Sequence, residues 1–279
     1  MRFAKQLSIL GRTLSFQLET IRSVKRPDET PLPKPKRQWF LGVRIVGLLA
    51  MLMVAIGIWT STRRDFRPPT IEDTAKSPFK FSHQVIAMEF IQTPEQLPVI
   101  LGREANNSTD SQNRLAMRAE MRRDFVFIFF YALLYIAVSL LLARRRCPWA
   151  VYLAWVAGLC GVGAALFDIR ENLAILNVLN TLDLNQLVDQ QAVNAIHSAA
   201  ILKWALSFVT AALLALTFYG LDNSLSFIGY AFTLTAVIGF VSLFYLPLLP
   251  WAFVPLIIGL ILLSIFAVFR PKKFVKEYC

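Results

Sequence analysis

Long apolar runs without charged residues alternate along this chain with polar segments, and six of the runs are long enough to cross a membrane. A helix needs roughly 20 apolar residues to span the hydrocarbon layer of about 30 Å. Backbone groups in lipid must be paired within the chain, and these runs are too long for barrel strands, so we predict helices. The six runs are Gly42 to Trp59, Phe125 to Ala143, Trp149 to Leu166 with a polar continuation, Ala199 to Tyr219, Phe227 to Leu246, and Ala252 to Phe269. The pattern predicts an all-α polytopic membrane helix bundle with about six transmembrane helices.

The third run passes directly into the charged sequence FDIRENLAIL, which begins at Phe167. At 1.5 Å per residue, Asp168 lies about 28 Å along the helix from Trp149, near the outer boundary of the hydrocarbon. Lys203 in the fourth run lies about 25 Å from Gly220 by the same rise, and that helix runs in the opposite direction. We therefore expect Asp168, Glu171 and Lys203 at similar depth and in contact.

The spacing of the polar residues places them on one face of each helix. Asp168, Glu171 and Asn172 are three and four positions apart, whereas Arg170 points elsewhere. Small residues at intervals of four allow helices to approach closely. We expect two such stripes to meet: Ala157, Gly161 and Ala165 on the third span, and Ala200, Lys203, Ser207 and Ala211 on the fourth.

The second span adds polar side chains to the same region. Asp124, Tyr131 and Tyr135 share one face of its outer half, and His197 lies near the outer end of the fourth span. A charged side chain at the centre of a membrane helix costs roughly 2.5–3.5 kcal/mol, so such residues face one another or a wet cavity. The sequence predicts a polar pocket open to the outside, with His197 and Tyr135 as further candidates.

The net charge of +11 indicates topology instead of nucleic-acid binding, because the basic residues flank the spans. Nine Lys or Arg residues precede residue 41, Arg144–Arg146 follow the second span, and Arg270, Lys272, Lys273 and Lys276 follow the last. With six spans all three groups fall on one side, which the positive-inside rule makes cytoplasmic. We predict a multi-pass protein of the cytoplasmic (inner) membrane with both termini inside, and no nucleic-acid partner.

The chain divides into five predicted regions. Residues 1–41 form a basic cytoplasmic segment with a Pro-rich linker, 42–60 the first span and 61–123 an extracytoplasmic loop. Residues 124–220 hold the second to fourth spans with the polar cluster, and 221–279 form a C-terminal helical hairpin, expected to be scaffold, with a basic tail. Residues 1–24 form either an amphipathic helix on anionic lipid of the inner leaflet or a short cytoplasmic helix. We expect the loop to pack as short helices on the bundle, with Thr93 as a helix N-cap.

Motifs of known catalytic or cofactor sites do not occur. The chain has no phosphate-binding loop, no dinucleotide glycine pattern, no H-E-x-x-H and no G-x-S-x-G. Cys147, Cys160 and Cys279 lack the spacing of metal ligands, and the only other candidate ligands of this kind are His83 and His197. We predict no cofactor and no metal site. The first apolar run starts too late for a cleavable signal peptide and is interpreted as a signal anchor. The sequence leaves the oligomeric state open.

Three signals in order resemble a family of small bacterial multi-pass membrane proteins that has no established activity. They are D-F-x-F-I-x-x-Y from Asp124 to Tyr131, D-x-x-E-N from Asp168 to Asn172, and the membrane lysine Lys203. The segment AMEFIQTPEQLPVIL is similar to the loop segment of that family. The resemblance covers about residues 43–220. The basic N-terminus, the loop around Gln92 and the final hairpin depart from its four-span core. It supports the candidate site residues and implies no chemistry.

Three functions are compatible with these residues. The first is a binding or transport protein whose pocket accepts a small polar molecule, an ion or a lipid headgroup. The second is a structural or assembly protein in which the Asp, Glu and Lys side chains only clamp helices together. The third is an intramembrane enzyme with Asp168 and Glu171 as acid and base and Lys203 as electrostatic stabiliser, although no nucleophile or metal motif supports it.

Overall fold

A computed structural model describes residues 37–62, 84–101, 108–144, 148–219, 221 and 223–275. Helices make up the regular structure of these residues, and no strand occurs among them. The helices are α1 (Arg37–Thr62), α2 (Gln84–Glu89), α3 (Leu97–Leu101), α4 (Ser108–Leu142), α5 (Pro148–Asp183), α6 (Gln190–Tyr219), α7 (Ser226–Ser242) and α8 (Leu249–Phe269). Short 3-10 turns occupy Pro94–Gln96, Asn223–Leu225, Leu246–Leu248 and Pro271–Val275.

Six of the described helices, α1 and α4 to α8, are long and apolar enough to cross a membrane. Their apolar side chains that face outward from the bundle stay exposed, as expected for lipid-facing surface, for example Leu159 and Phe129. The predicted all-α fold is therefore confirmed for the described residues, with six helices that are long and apolar enough to span a membrane.

The spans pack in chain order and close into a ring. Each of α4, α5, α6 and α7 packs on the span before it and on the span after it, and α1 packs on both α4 and α8. The closing contact is tight, because a Cβ atom built on Gly47 of α1 would lie 2.8 Å from the Cβ of Ala267 in α8. Small residues at the contact let these two helices approach closely, as is usual for helices in lipid.

Three of the spans are much longer than the hydrocarbon layer is thick. Helices α4, α5 and α6 have 35, 36 and 30 residues, or about 52, 54 and 45 Å, against about 30 Å of hydrocarbon. Helix α4 begins at Ser108 and α6 at Gln190, so the predicted starts at Phe125 and Ala199 mark where the apolar sequence begins and not where the helix begins. Residues 113–124 are thus helical and continue directly into the second span.

Residues 84–101, which we call the cap, pack as two short helices on one end of the bundle. Besides Phe90, four of their apolar side chains are buried: Met88, Ile91, Leu97 and Leu101. They join an apolar cluster with Met117 and Met121 of α4, Ile175, Val178 and Leu179 of α5, and Val193 and Ile196 of α6. The predicted packing of short loop helices on the bundle is confirmed for this segment.

Thr93 precedes the 3-10 turn Pro94–Gln96 with extended backbone angles, as the predicted N-cap requires. The Thr93 hydroxyl hydrogen-bonds the Glu95 carboxylate and lowers the pKa of that group. The side chain of Gln190, at the start of α6, donates a hydrogen bond to the carbonyl of Gln92 at 2.7 Å. The cap is therefore attached to α6 as well as packed on it.

The two ends of the bundle differ in charge. Helix α1 contacts the turn Pro271–Val275 that follows α8, so the start of the first span and the end of the last lie at one end. Lys272 and Lys273 lie in this turn, and we call this the basic end. At the opposite end, Arg118 pairs with Asp183 and donates to Asn180 at 2.7 Å, which joins the protruding parts of α4 and α5.

Several predictions fall on residues that the structure does not describe. They are the helix over residues 1–24, the Pro-rich linker before residue 37, Arg145, Arg146, His83, Cys147 and Cys279. These stay predictions, as does the side of the membrane on which each end lies.

Candidate functional site

Lys203 lies in α6 at the centre of three carboxylates. Its side-chain nitrogen Nζ lies 2.8 Å from Glu171 Oε2, 3.0 Å from Glu89 Oε1 and 3.1 Å from Asp168 Oδ1. Two of these acids come from α5, and the third is the last residue of α2 in the cap. We call these four residues the Lys203 cluster, together with Asp124, Tyr131, Asn172 and Trp204. Tyr131 and Trp204 hydrogen-bond two of the three carboxylates, and Asn172 hydrogen-bonds a further acid, Asp124.

Each of three carboxyl groups in the cluster also accepts a hydrogen bond from a neutral donor. The Tyr131 hydroxyl donates to Asp168 Oδ2 at 2.9 Å, and the Trp204 indole donates to Glu89 Oε2 at 2.9 Å. The third donor is the Asn172 side-chain amide, which donates to Asp124 Oδ2 at 2.7 Å. Helix α4 therefore contributes one acid and one hydroxyl, and connects to α5 through both.

Glu171 differs from the other acids of the cluster. Its side chain is 1% exposed, and Oε1 has no hydrogen-bond partner among the described residues. Its other oxygen Oε2, like Asp168 Oδ1, meets Lys203 at ion-pair distance but without the alignment of a hydrogen bond. Glu171 is thus a buried carboxyl group with an open acceptor position.

Apolar layers close the cluster on both sides. Toward the basic end it borders the main core, which includes Leu134 and Ala165, and toward the cap it borders the apolar cluster that includes Ile175 and Ile196. Glu89, Asp168, Asn172 and Lys203 are all 1–6% exposed. Asp124 and Trp204 at the margin of the cluster are partly exposed, whereas the groups around Lys203 are closed off from solvent in this conformation. A pocket open at Lys203 would therefore require a movement, for example of the cap.

One lysine does not compensate the acids around it. Carboxylates that all contact one Nζ lie at most about 6 Å apart, and at an effective dielectric constant of about 20 each such pair repels by about 2.8 kcal/mol. A contact with Nζ near 3 Å is worth about 5.5 kcal/mol on the same scale. The attraction of the third carboxylate to Lys203 is therefore cancelled by its repulsion from the other two. Removing a carboxylate from water costs several kcal/mol more, so the third and fourth charges are unfavourable.

The structure brings together the six residues predicted to form the cluster. One connected set of hydrogen bonds and ion pairs joins Tyr131, Asp168, Glu171 and Lys203. The hydrogen-bonded pair Asp124 and Asn172 lies beside this set, close enough for Asp124 to interact electrostatically with Asp168 and Lys203. The expected contact of Asp168 and Glu171 with Lys203 is confirmed, and Arg170 is exposed as expected. Whether the cluster binds a ligand stays a prediction at this point.

The two further candidates lie at the margin of the cluster. The ring of Tyr135 contacts that of Tyr131 at a centroid distance of 5.8 Å. His197 packs its ring edge-on against Phe90 at 6.2 Å, and its Nδ1 has no hydrogen-bond partner among the described residues. His197 therefore contacts the cap next to Glu89 and not the carboxylates that it was predicted to join.

The predicted contact between two stripes of small residues is wrong in part. A Cβ atom built on Gly161 would lie 2.6 Å from the ring of Tyr135, so this part of α5 faces α4 and not α6. The carbonyl of Ala157 does face α6, where the Thr210 hydroxyl approaches it at 3.5 Å. The stripe divides between two neighbours because α5 lies between α4 and α6 in the ring.

Sequence reasoning did not assign Glu89 and Trp204 to the site. Glu89 lies in an apolar loop segment whose position over the spans no spacing rule gives, and Trp204 follows Lys203 directly. The Trp204 ring stacks on Phe208 at 6.0 Å and contacts Phe253 of α8 edge-on at 5.5 Å. The only signal for Glu89 in the sequence is an acid within a segment of otherwise apolar character.

The C-terminal hairpin contributes a wall of this region. Leu246, Leu249 and Ala252, at and after the turn between α7 and α8, pack with Phe90 of the cap and Phe208 of α6. The hairpin is therefore more than the scaffold that the sequence predicted, because its tip supports the cap beside Glu89.

The cluster suits charge chemistry more than metal chemistry. Among the described residues no group of three or more His, Cys, Asp or Glu side chains is arranged to hold a metal ion. The ammonium group of Lys203 occupies the position on which the three carboxylates converge. The buried acids can hold a proton or another small cation next to that ammonium group.

No family model, no curated protein and no solved structure matches the chain. The resemblance to a bacterial membrane protein family therefore stays a prediction, and the geometry of the cluster carries the functional argument.

Proposed function

We propose that this chain is a multi-pass protein of the cytoplasmic membrane that binds a small polar molecule or ion at the Lys203 cluster. The observation that carries the proposal is the surplus of acids: the buried Glu89, Asp168 and Glu171 all contact one lysine, and Asp124 lies near them. Charges that cost stability are kept in proteins where function needs them. Ionisable residues within membrane helices indicate substrate or ion sites by default.

The position of the cap supports entry from the side on which the cap lies. Glu89 is the last residue of α2 and is the one acid of the cluster that no spanning helix carries. Displacing the cap would expose Lys203 and Trp204 without separating any two spans. The positive-inside rule places the basic end in the cytoplasm, and the proposed ligand then arrives from outside.

The second candidate function is a clamp that joins helices, and a specific contact favours it. Lys203 bridges α5, α6 and the cap through its three ion pairs. A clamp of this kind holds the cap in place and needs no ligand.

Neutralising one acid separates the two functions. We expect Asp168→Asn to raise the melting temperature of the purified protein, because it removes repulsion while Lys203 keeps two carboxylates. The asparagine carbonyl can still accept the hydrogen bond from Tyr131. Glu89→Gln is expected to act in the same direction or to leave the melting temperature unchanged.

Asp183→Asn provides the matched control, since Asp183 pairs with Arg114 and Arg118 at the protruding ends of α4 and α5. Here one acid meets two cations, and its neutralisation should lower the melting temperature. If Asp168→Asn lowers it by as much as Asp183→Asn or more, the Lys203 cluster is a clamp and the binding proposal is rejected. Breaking a buried pair by removing one partner costs about 3–5 kcal/mol.

A further inference from the structure

We infer that the ligand of the Lys203 cluster is a small protonated amine, and that Glu171 is the carboxylate that receives it. This inference rests on the proposed function and adds the chemical class of the ligand. It uses three features of the described residues: the sign of the charge, the hydrogen-bonding groups left open, and the aromatic rings beside them.

The sign of the charge favours a cation. Four acids face one another across the cluster: Glu89 from the cap, Asp124 from α4, and Asp168 and Glu171 from α5. Lys203 of α6 contacts three of them, Glu89, Asp168 and Glu171. An anionic ligand would add a further repulsion, whereas a monovalent cation reduces the surplus.

The open hydrogen-bonding group is an acceptor. Oε1 of Glu171 has no partner in the described residues, and the side chain is almost completely buried. The neutral donors of the cluster are already used, because Tyr131, Asn172 and Trp204 each donate to another acid. A ligand that offers N–H donors matches this arrangement, and one that offers only acceptors does not.

The surroundings favour an ammonium group over a metal ion. No group of His, Cys, Asp or Glu in the described residues is arranged as a metal site. Aromatic rings attract ammonium groups within about 6 Å of the ring centroid. Nζ of Lys203 already lies 4.9 Å from the Trp204 ring, and the rings of Tyr131 and Tyr135 lie against each other on the α4 side.

The test measures the melting temperature of the purified full-length protein with added salts at constant ionic strength and pH. The probes are ammonium chloride and methylammonium chloride. Sodium chloride, tetramethylammonium chloride and sodium acetate serve as comparisons, because they offer a cation without N–H donors or an anion. We expect a rise of about 3 °C or more with ammonium and methylammonium at saturation, and less than about 1 °C with the others.

Two variants assign the effect to Glu171. In Glu171→Gln the response to ammonium and methylammonium should disappear, since the receiving carboxylate is gone. Glu120→Gln makes the same chemical change in an ion pair with Arg123, three residues away on α4, and should keep the full response. The salt series on the unaltered protein decides the class of the ligand even if Glu171→Gln does not fold, and the conservative Glu171→Asp, which keeps the carboxylate but withdraws it by one methylene, should then weaken the response.

The results that overturn the inference are distinct. Equal stabilisation by sodium or tetramethylammonium, stabilisation by acetate alone, or no response at all would reject a protonated amine. A protein that becomes more stable at low pH through Glu171, but does not respond to amines, binds a proton and not an amine. If Asp168→Asn raises the melting temperature while amines have no effect, binding at the cluster stands and only the ligand class fails.

Discussion

The Tyr131 hydroxyl of α4 donates a hydrogen bond to Asp168 of α5, which gives a prediction at the scale of one residue. Tyr131→Phe removes the donor to Asp168 and leaves that carboxylate less compensated. Hydrogen bonds to charged groups contribute about 1.5–3 kcal/mol, so we expect a loss of about that size. Thermal or denaturant unfolding in detergent measures it.

The matched control is Tyr152→Phe, because Tyr152 of α5 is exposed on the outer surface of the bundle. Its hydroxyl touches no member of the cluster, and the stability should change by less than about 0.5 kcal/mol. Equal effects of the two substitutions would mean that the Tyr131 hydroxyl is not a significant partner of Asp168.

At this scale the sequence predicts those features of the site that follow from the geometry of a single helix. The rise per residue gives the depth of Asp168 and Lys203, and the spacing of three and four positions gives the common face of Asp168 and Glu171. Glu89 could not be placed in this way, because its position depends on how an irregular connection folds over the spans. The excess of acidic residues over the single lysine at this site therefore became evident only in the structure.

Helix α5 gives a prediction at the scale of an element. Gly161→Ala would place a methyl group 2.6 Å from the Tyr135 ring, which real Cβ atoms do not tolerate, so α4 and α5 must separate. Overpacking of this kind costs about 1–3 kcal/mol. We expect a lower melting temperature and weaker contact between Tyr131 and Asp168.

Gly42→Ala in α1 is the control, because a Cβ atom there would have nothing within 4 Å. Alanine is favoured over glycine in a helix by about 1 kcal/mol, so Gly42→Ala should be neutral or stabilising. If both alanines are tolerated equally, α4 and α5 are not in close contact at Gly161.

The ends and neighbours of the helices were less predictable than their number. Hydropathy marks the part of a helix that lies in lipid, but α4 and α6 continue for many residues beyond it, because their backbones remain paired within the helix. The small residues of α5 indicate that another helix packs closely on it, but they do not show which helix this is. Gly161 was expected to face α6 and faces α4 instead.

The orientation of the bundle is a prediction at the scale of the molecule. In a variant whose native cysteines are replaced by serine, Leu187→Cys tests the cap end, and Lys272→Cys tests the basic end. Leu187 is 99% exposed between α5 and α6, and Lys272 is exposed after α8. We expect a membrane-impermeant maleimide to label position 187 in intact cells, and position 272 only after the membrane is permeabilised.

Labelling of position 272 in intact cells, with position 187 protected, would reverse the predicted orientation. The proposed ligand would then enter from the cytoplasm. Permeabilised cells supply the control, because both positions should react there.

At the scale of the molecule, the sequence predicts six spans because each apolar run is long enough by itself. It does not predict that α1 lies beside α8, since no charge or repeat identifies that pair. The contact of Gly47 with Ala267 becomes evident only when both helices are placed.

The closed ring has a consequence for the order in which the protein assembles. During synthesis α1 is made before the other five described spans, while α8, which covers its Gly47 face, is made after them. Lys203 and its carboxylates are complete once α6 has emerged, but Leu249 and Ala252, which support Phe90, arrive with α8. Until α8 has been made, the region around Phe90 lacks the side chains that cover it in the complete bundle. The charged groups of the Lys203 cluster are therefore fully enclosed only after α7 and α8 have packed.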